Sequence, residues 1–140
     1  MKKAKVRTIP GAVMNSLTRL FRGGNMKNVI KLKNDEYRRK RGGTAELLDI
    51  YCSSCNYYVM LYQKDGPGRL QRCYLNRIFS PPDLAQLQNM NFSSQSDISN
   101  LVCNQCDSLI GIPMTYIDDR LAFRLVHGSF IKKRSNVRYK

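Results

Sequence analysis

Four cysteines carry the strongest chemical signal in this sequence. Cys52-Ser53-Ser54-Cys55 and Cys103-Asn104-Gln105-Cys106 are two C-x-x-C pairs with 47 residues between them. A C-x-x-C on a tight turn aims both sulfurs the same way. Two such knuckles brought together offer four thiolates at the corners of a tetrahedron. Soft thiolates and four-coordination select one Zn²⁺. An iron ion on the same thiolates, or a pair of redox disulfides, are the competing uses. A thioredoxin-type motif needs a βαβ context, which surrounds neither pair. With every position filled by protein, no activated water fits, so the ion is structural. Such an ion contributes on the order of 10 kcal/mol to folding. Reduced thiolates imply a reducing compartment such as the cytoplasm.

The other reactive side chains form no convergent set. Cys73 lies in an expected strand among apolar neighbours and reads as a small buried hydrophobe. His127 is the single histidine, and no acid is placed to orient it. Asp118 and Asp119 fall in an expected turn. No nucleophile or acid/base pair can be named, so an enzyme is not expected.

The elements that position the cysteines come in two units. Sliding the sequence by 51 residues lays Cys52 and Cys55 on Cys103 and Cys106, Arg69-Leu70 on Arg120-Leu121, and Phe79 on Phe130. Val59, Leu61 and Leu75 fall on Ile110, Ile112 and Val126. Each unit reads as knuckle, strand, turn, strand. The first runs through residues 57–63, turns at 64–68 with Gly66 and Gly68, and returns over 70–79. The second runs through 108–116, turns at 117–119 and returns over 121–131. Gly111 and Pro113 predict a bulge or an edge position in it. Ser80-Pro81-Pro82-Asp83 reads as a helix start capped by Ser80, with Leu84, Leu87 and Met90 as its apolar face. Residues 91–100 form a polar loop, and 27–33 an extra strand or extended arm around Val29 and Leu32. Residues 33–43 read as a charged linker. The expected fold is mainly β: two knuckle hairpins, one or two short helices, and basic arms.

Over residues 50–131 this arrangement resembles two four-cysteine architectures. One is the zinc ribbon, whose knuckles usually lie closer in sequence. The other is the β-tent of Yippee-type proteins and B-type methionine sulfoxide reductases. The resemblance implies a structural zinc and paired hairpins, and no particular function. The reductases carry Arg-x-Cys-x-Asn after the second knuckle. Here Arg72-Cys73-Tyr74-Leu75-Asn76 lies between the knuckles and no cysteine follows Cys106, so their activity is not implied. Yippee-type proteins typically have a histidine soon after the first knuckle, where this chain has Tyr57, Tyr58 and Val59. Rubredoxin knuckles usually carry glycine after the second cysteine, where Asn56 and Asp107 stand.

Charge supplies the functional expectation. The 140 residues hold 24 Lys+Arg against 10 Asp+Glu, a balance of +14. Residues 1–41 hold 13 basic and 2 acidic residues, and 132–140 hold 5 basic and none acidic. The middle, 42–131, holds 6 and 8. The expected organisation is a leader or non-native extension (1–25), a basic arm (26–43), a four-cysteine zinc domain (44–131) and a basic tail (132–140). In the leader, Val13, Met14, Leu17, Leu20 and Phe21 keep helical spacing beside Arg19 and Arg22, as in a presequence. Arg22-Gly23-Gly24-Asn25 before Met26 also allows a start at Met26.

Basic arms around a compact module reach nucleic-acid phosphates. The expected contacts are Arg38, Arg39, Lys40, Arg41, Lys132, Lys133 and Arg134, with Arg69, Arg72 and Arg77 as a stripe on the domain. Tyr57, Tyr58, Tyr62 and Tyr74 either stack on bases or, the preferred reading, pack in the hairpins. No recognition helix is apparent, which favours RNA or nonspecific DNA over major-groove reading. A protein-protein adaptor or assembly subunit is the alternative, and a β-tent ligand-binding protein or enzyme a weaker one. No apolar run is long enough for a membrane-spanning helix.

Overall fold

The computed structural model describes residues 29–140. The helical face expected around Leu17 and the alternative start at Met26 lie outside the described residues. In chain order the elements are α1 (Glu36–Lys40), β1 (Ala45–Cys52), β2 (Tyr58–Asp65), β3 (Arg72–Tyr74), β4 (Ile78–Ser80), α2 (Pro82–Ala85), β5 (Leu101–Val102), β6 (Leu109–Tyr116), β7 (Arg120–Leu125) and β8 (Phe130–Arg134). Four short 3₁₀ turns lie in three of the connections, two of them between α2 and β5. The strands form two antiparallel sheets, ordered β4-β2-β1-β8 and β3-β7-β6-β5. The mainly β expectation therefore holds, with each knuckle at the tip of a hairpin, β1–β2 and β5–β6.

The main core joins the two sheets. Leu48, Ile50, Met60, Tyr62 and Ile78 of the first meet Cys73, Leu101, Ile110, Phe123 and Leu125 of the second. Each fully buried Ile, Leu or Phe side chain there contributes about 1.5–3 kcal/mol. Leu47 and Leu61 point to the opposite face of the first sheet, where Leu32, Ile30, Phe79 and Val137 cover them. Both faces of β2 are thus covered, which explains its almost unbroken burial, Gln63 and Lys64 included.

The cover comes from both ends of the described chain. Ile30 and Tyr139 form a parallel bridge, and the backbone N–H of Ile30 donates to Arg138 O at 2.9 Å. The buried amide of Gln63 holds this cover down. It accepts from Lys33 N–H at 2.7 Å and donates to Lys33 O at 2.9 Å, replacing a strand partner. The described part of the expected arm and the expected tail are therefore docked on the domain.

Several expected pairings are corrected. β2 does not fold back on residues 70–79 as one hairpin. It pairs with β1 and, briefly, with β4, while β3 crosses to pair with β7 in the other sheet. The expected return over 121–131 also splits: β7 stays in the second sheet, and β8 crosses to pair with β1. Each half thus lends one strand to the other's sheet. The expected bulge or edge position is met instead: the β5–β6 register shifts between Leu101 and Val102, beside Gly111, and β5 ends its pairing there, so Pro113 has no second neighbour to serve. The helix after Ser80 is capped by Pro81, with no side-chain cap bond. Within the expected linker, Asp35 caps α1 by accepting from Tyr37 and Arg38 N–H.

The 51-residue offset survives in three dimensions. Added to the bounds of β2, it gives those of β6. Asn56 and Asp107 both have φ 65°. In the β3–β7 ladder, Arg72 faces Arg124 and Cys73 faces Phe123, two pairs that interchange under the offset.

Candidate functional site

Each knuckle is built by its own backbone. Cys52 N–H donates to Tyr57 O at 2.9 Å, and Cys103 N–H to Ser108 O at 2.9 Å. Asn56 N–H donates to Cys52 O at 2.8 Å, and Asp107 N–H to Cys103 O at 2.9 Å. The residue after the second cysteine must then enter the left-handed region. Asn and Asp tolerate it better than other side chains, and so stand where glycine would serve.

The two knuckles meet. Cys52 Sγ lies 3.6 Å from Cys106 Sγ, and Cys55 Sγ 3.5 Å from Cys103 Sγ. All four sulfurs lie within 4.8 Å of one another. Metal–sulfur bonds of ~2.3 Å in a tetrahedron set sulfurs ~3.8 Å apart, so the four fit around one ion. The two short distances exchange under the 51-residue offset, which places the cluster between the halves. Cys52 and Cys103 are buried on the core side and Cys106 is exposed. An ion held here ties the end of β1 to the end of β5, one sheet to the other.

The sulfurs differ in their surroundings. The Ser108 hydroxyl at 3.1 Å and the Ser108 backbone bring Cys106 down to about 6, so its thiolate is favoured. Burial pushes Cys103 up to about 12, although the backbone of Cys106 and Gln105 opposes it. The second knuckle thus holds one sulfur that ionises readily and one that gives up its proton when a cation compensates. Cys73 is fully buried and its thiol is pushed up by burial alone. It lies within the core, and His127 is exposed.

The expected phosphate contacts fall into three groups. Arg39, Lys40 and Arg41 are exposed at the end of α1, and Arg41 Nη2 donates to Pro67 O at 3.0 Å. Arg38 turns inward, donating to Gly43 O at 2.8 Å. On β8 the strand alternation separates the cations. Lys132 and Arg134 face Ile50 and Leu48 across the ladder, while Lys133 takes the other face, its Nζ 5.4 Å from the Tyr51 ring centre. Arg69 is exposed and Arg72 partly buried.

Arg77 departs from the expected stripe. Its side chain is 0 % exposed, with Nη2 2.6 Å from Asp35 Oδ1 and Nε 2.9 Å from Asp65 Oδ2. It is an internal strut between the α1 cap and β2. Burial opposes the charge on Asp35, but the hydrogen bond from Arg77 and the Arg38 N–H hold that carboxyl down at about 2.

Sequence reasoning missed a tyrosine–arginine cluster. The Arg120 guanidinium lies 3.8 Å from the ring centre of Tyr37 and 3.7 Å from that of Tyr74. Arg72 lies 4.1 Å from the Tyr116 ring centre, and its Nη1 is 3.5 Å from the Tyr74 hydroxyl. The cluster lines a cleft of about 630 Å³ that also takes in Lys40, Arg41, Lys64 and Arg69. The legible signal was the match of Arg69 to Arg120 under the offset. Tyr37 lay in an apparent linker and Tyr116 at a turn, and nothing local joins them. Of the tyrosines singled out, Tyr62 is buried and Tyr58 donates to Asp49 at 2.9 Å, so both serve packing. Tyr74 serves the cleft.

Comparison with protein-family models, with curated proteins and with solved structures gives no match.

Proposed function

We propose that this chain is a zinc-stapled nucleic-acid-binding protein that takes RNA, or DNA without sequence preference. Cys52, Cys55, Cys103 and Cys106 hold one structural Zn²⁺, which fits four thiolates at tetrahedral spacing. The ion supplies folding free energy and takes no part in chemistry.

One observation carries the nucleic-acid reading: Arg41, Arg72, Lys132 and Arg134, far apart in the sequence, come near Lys64. Lys64 pairs with Glu46 in the β1–β2 ladder, on the face that Arg134 and Lys132 share. It lines both the large cleft, with Arg41 and Arg72, and a second recess with Glu46 and Arg134. Its ammonium is pushed down mainly by burial; Glu46 opposes this, while Arg41 and Lys132 add to it. Glu46 offsets part of this like charge, pairing with Arg134 at 3.4 Å, and a bound polyanion would relieve the rest. Among the described residues the longest α-helix has five residues, which favours a backbone- and base-stacking mode over a helix in the major groove.

The test is fluorescence anisotropy with a labelled single-stranded RNA, on protein freed of nucleic acid and assayed for zinc. The reading expects one zinc per chain. It also expects affinity that falls when Lys132 and Arg134 are changed to Glu and holds when Lys133, on the other face, is changed. Absent binding, or equal loss from both changes, contradicts it.

A further inference from the structure

The cleft between α1, β3 and β7 has features that a merely basic surface lacks. Its guanidiniums are oriented. Arg120 is clamped between two tyrosine rings, and Arg72 lies on a third. Both touch Tyr74, and Tyr74 meets Tyr116 edge-on at 6.1 Å. Ring contacts occupy the faces of a guanidinium and leave its in-plane N–H donors to point outward. Arg120 spends one of them on Asn76 Oδ1 at 3.4 Å.

These cations also lack ion-pair partners, although Asp35 lies near enough to Arg120 to feel its charge. Among the described residues, the ion pairs of this region run from Arg77 to Asp35 and Asp65, and from Lys40 to Glu36. None joins Arg41, Arg69, Arg72 or Arg120 to a carboxylate. Asp65 lines the cleft but is engaged by Arg77, and Asp118 sits in the exposed turn at its edge. A ring-clamped pair of planar guanidiniums with no carboxylate paired to either matches a phosphate, which accepts bidentate bonds. The mouth is apolar on one side, where Ile117 is 66 % exposed next to Tyr116. A volume of about 630 Å³ lies within the ~300–1,000 Å³ of small-molecule sites.

We infer that this cleft is a nucleotide site: Arg72 and Arg120 hold a phosphate, and the attached base lies against Ile117 and the Tyr116 ring. The inference deepens the nucleic-acid reading and rests on it for the source of the nucleotide. A unit of a single strand and a free nucleotide share this chemistry, so the test separates them.

The experiment is NMR titration of the zinc-loaded full chain with uridine 5′-monophosphate, inorganic phosphate, uridine, and a short single-stranded RNA. The nucleotide is expected to shift the ring resonances of Tyr37, Tyr74 and Tyr116 saturably, and more strongly than phosphate or uridine alone. Arg120→Gln is expected to weaken that binding about tenfold or more. Ile117→Asp, at an exposed position that leaves folding intact, is expected to weaken it by setting a carboxylate against the phosphate. RNA that moves the same resonances identifies the strand as a source. A nucleotide that fills the cleft while RNA fails to bind upholds the site and overturns the nucleic-acid reading. Tyrosine resonances unmoved by both overturn the cleft, even if RNA binds elsewhere. Phosphate alone matching the nucleotide overturns the base contact.

Discussion

Among individual residues, the four cysteines stand where one ion would join two sheets that share one core. Replacing Cys103 by Ser should abolish stoichiometric metal in elemental analysis and leave the chain unfolded by circular dichroism. A structural zinc is worth on the order of 10 kcal/mol, comparable to the whole stability of a small domain. Cys73→Ser should keep the metal and cost about 1–3 kcal/mol, because it buries a hydroxyl in an apolar site. Arg77→Met should cost about 3–5 kcal/mol, since Asp35 and Asp65 lose the cation between them. Asp35 adds a pH dependence. Its folded value of about 2 lies below the ordinary 3.8, so its contribution is complete above about pH 4 and is lost as pH falls toward 2. Denaturant melts across that window should show Asp35→Asn with a flatter acid limb. The cysteines were legible because their spacing is local. Arg77 was not: its acids lie 42 and 12 residues away, and an arginine in an apolar stretch looks like a surface stripe.

At the scale of elements, the repeat was legible and the pairing was not. The offset fixes where strands fall, and β2 and β6 obey it. It is silent on which sheet a strand joins, and β3 and β8 cross over. β1 escaped notice because Leu47, Leu48 and Ile50 break the period of two; both faces of that strand are covered, so alternation carries no signal. α1 had readable ends, Asp35 at the cap and Gly42-Gly43 after it, hidden by its charge. The turn at Gly66 tests how α1 is seated. Gly66 has φ +73°, and a Cβ there would lie 2.6 Å from Arg41 O. Gly66→Ala should therefore cost about 1–3 kcal/mol in thermal melts and displace Arg41 from the cleft. Deleting residues 130–140 should unfold the protein rather than trim a tail, because it removes β8 and the Val137 cover together.

For the molecule as a whole, the basic segments among the described residues are folded onto the domain rather than left trailing. Arg41 of the expected arm and Lys132 and Arg134 of the expected tail come near Lys64, while Lys133 and the Ile30 and Val137 cover lie on the other face, and Asp65 of the middle domain is spent inside, on Arg77. The charge asymmetry was visible in the sequence; the convergence needed β8 to cross sheets. Among the described residues, no helix is long and apolar enough to cross a membrane. The central claim is that this converged face binds a polyanionic strand. Its most direct test is the dissociation constant for single-stranded RNA measured at a series of salt concentrations. The account predicts a linear fall of log affinity with log salt, its slope steepened by ~0.7 for each phosphate contacted, and a shallower slope when Lys64, Lys132 and Arg134 are neutralised. Affinity indifferent to salt, or a slope unchanged by those substitutions, would contradict it.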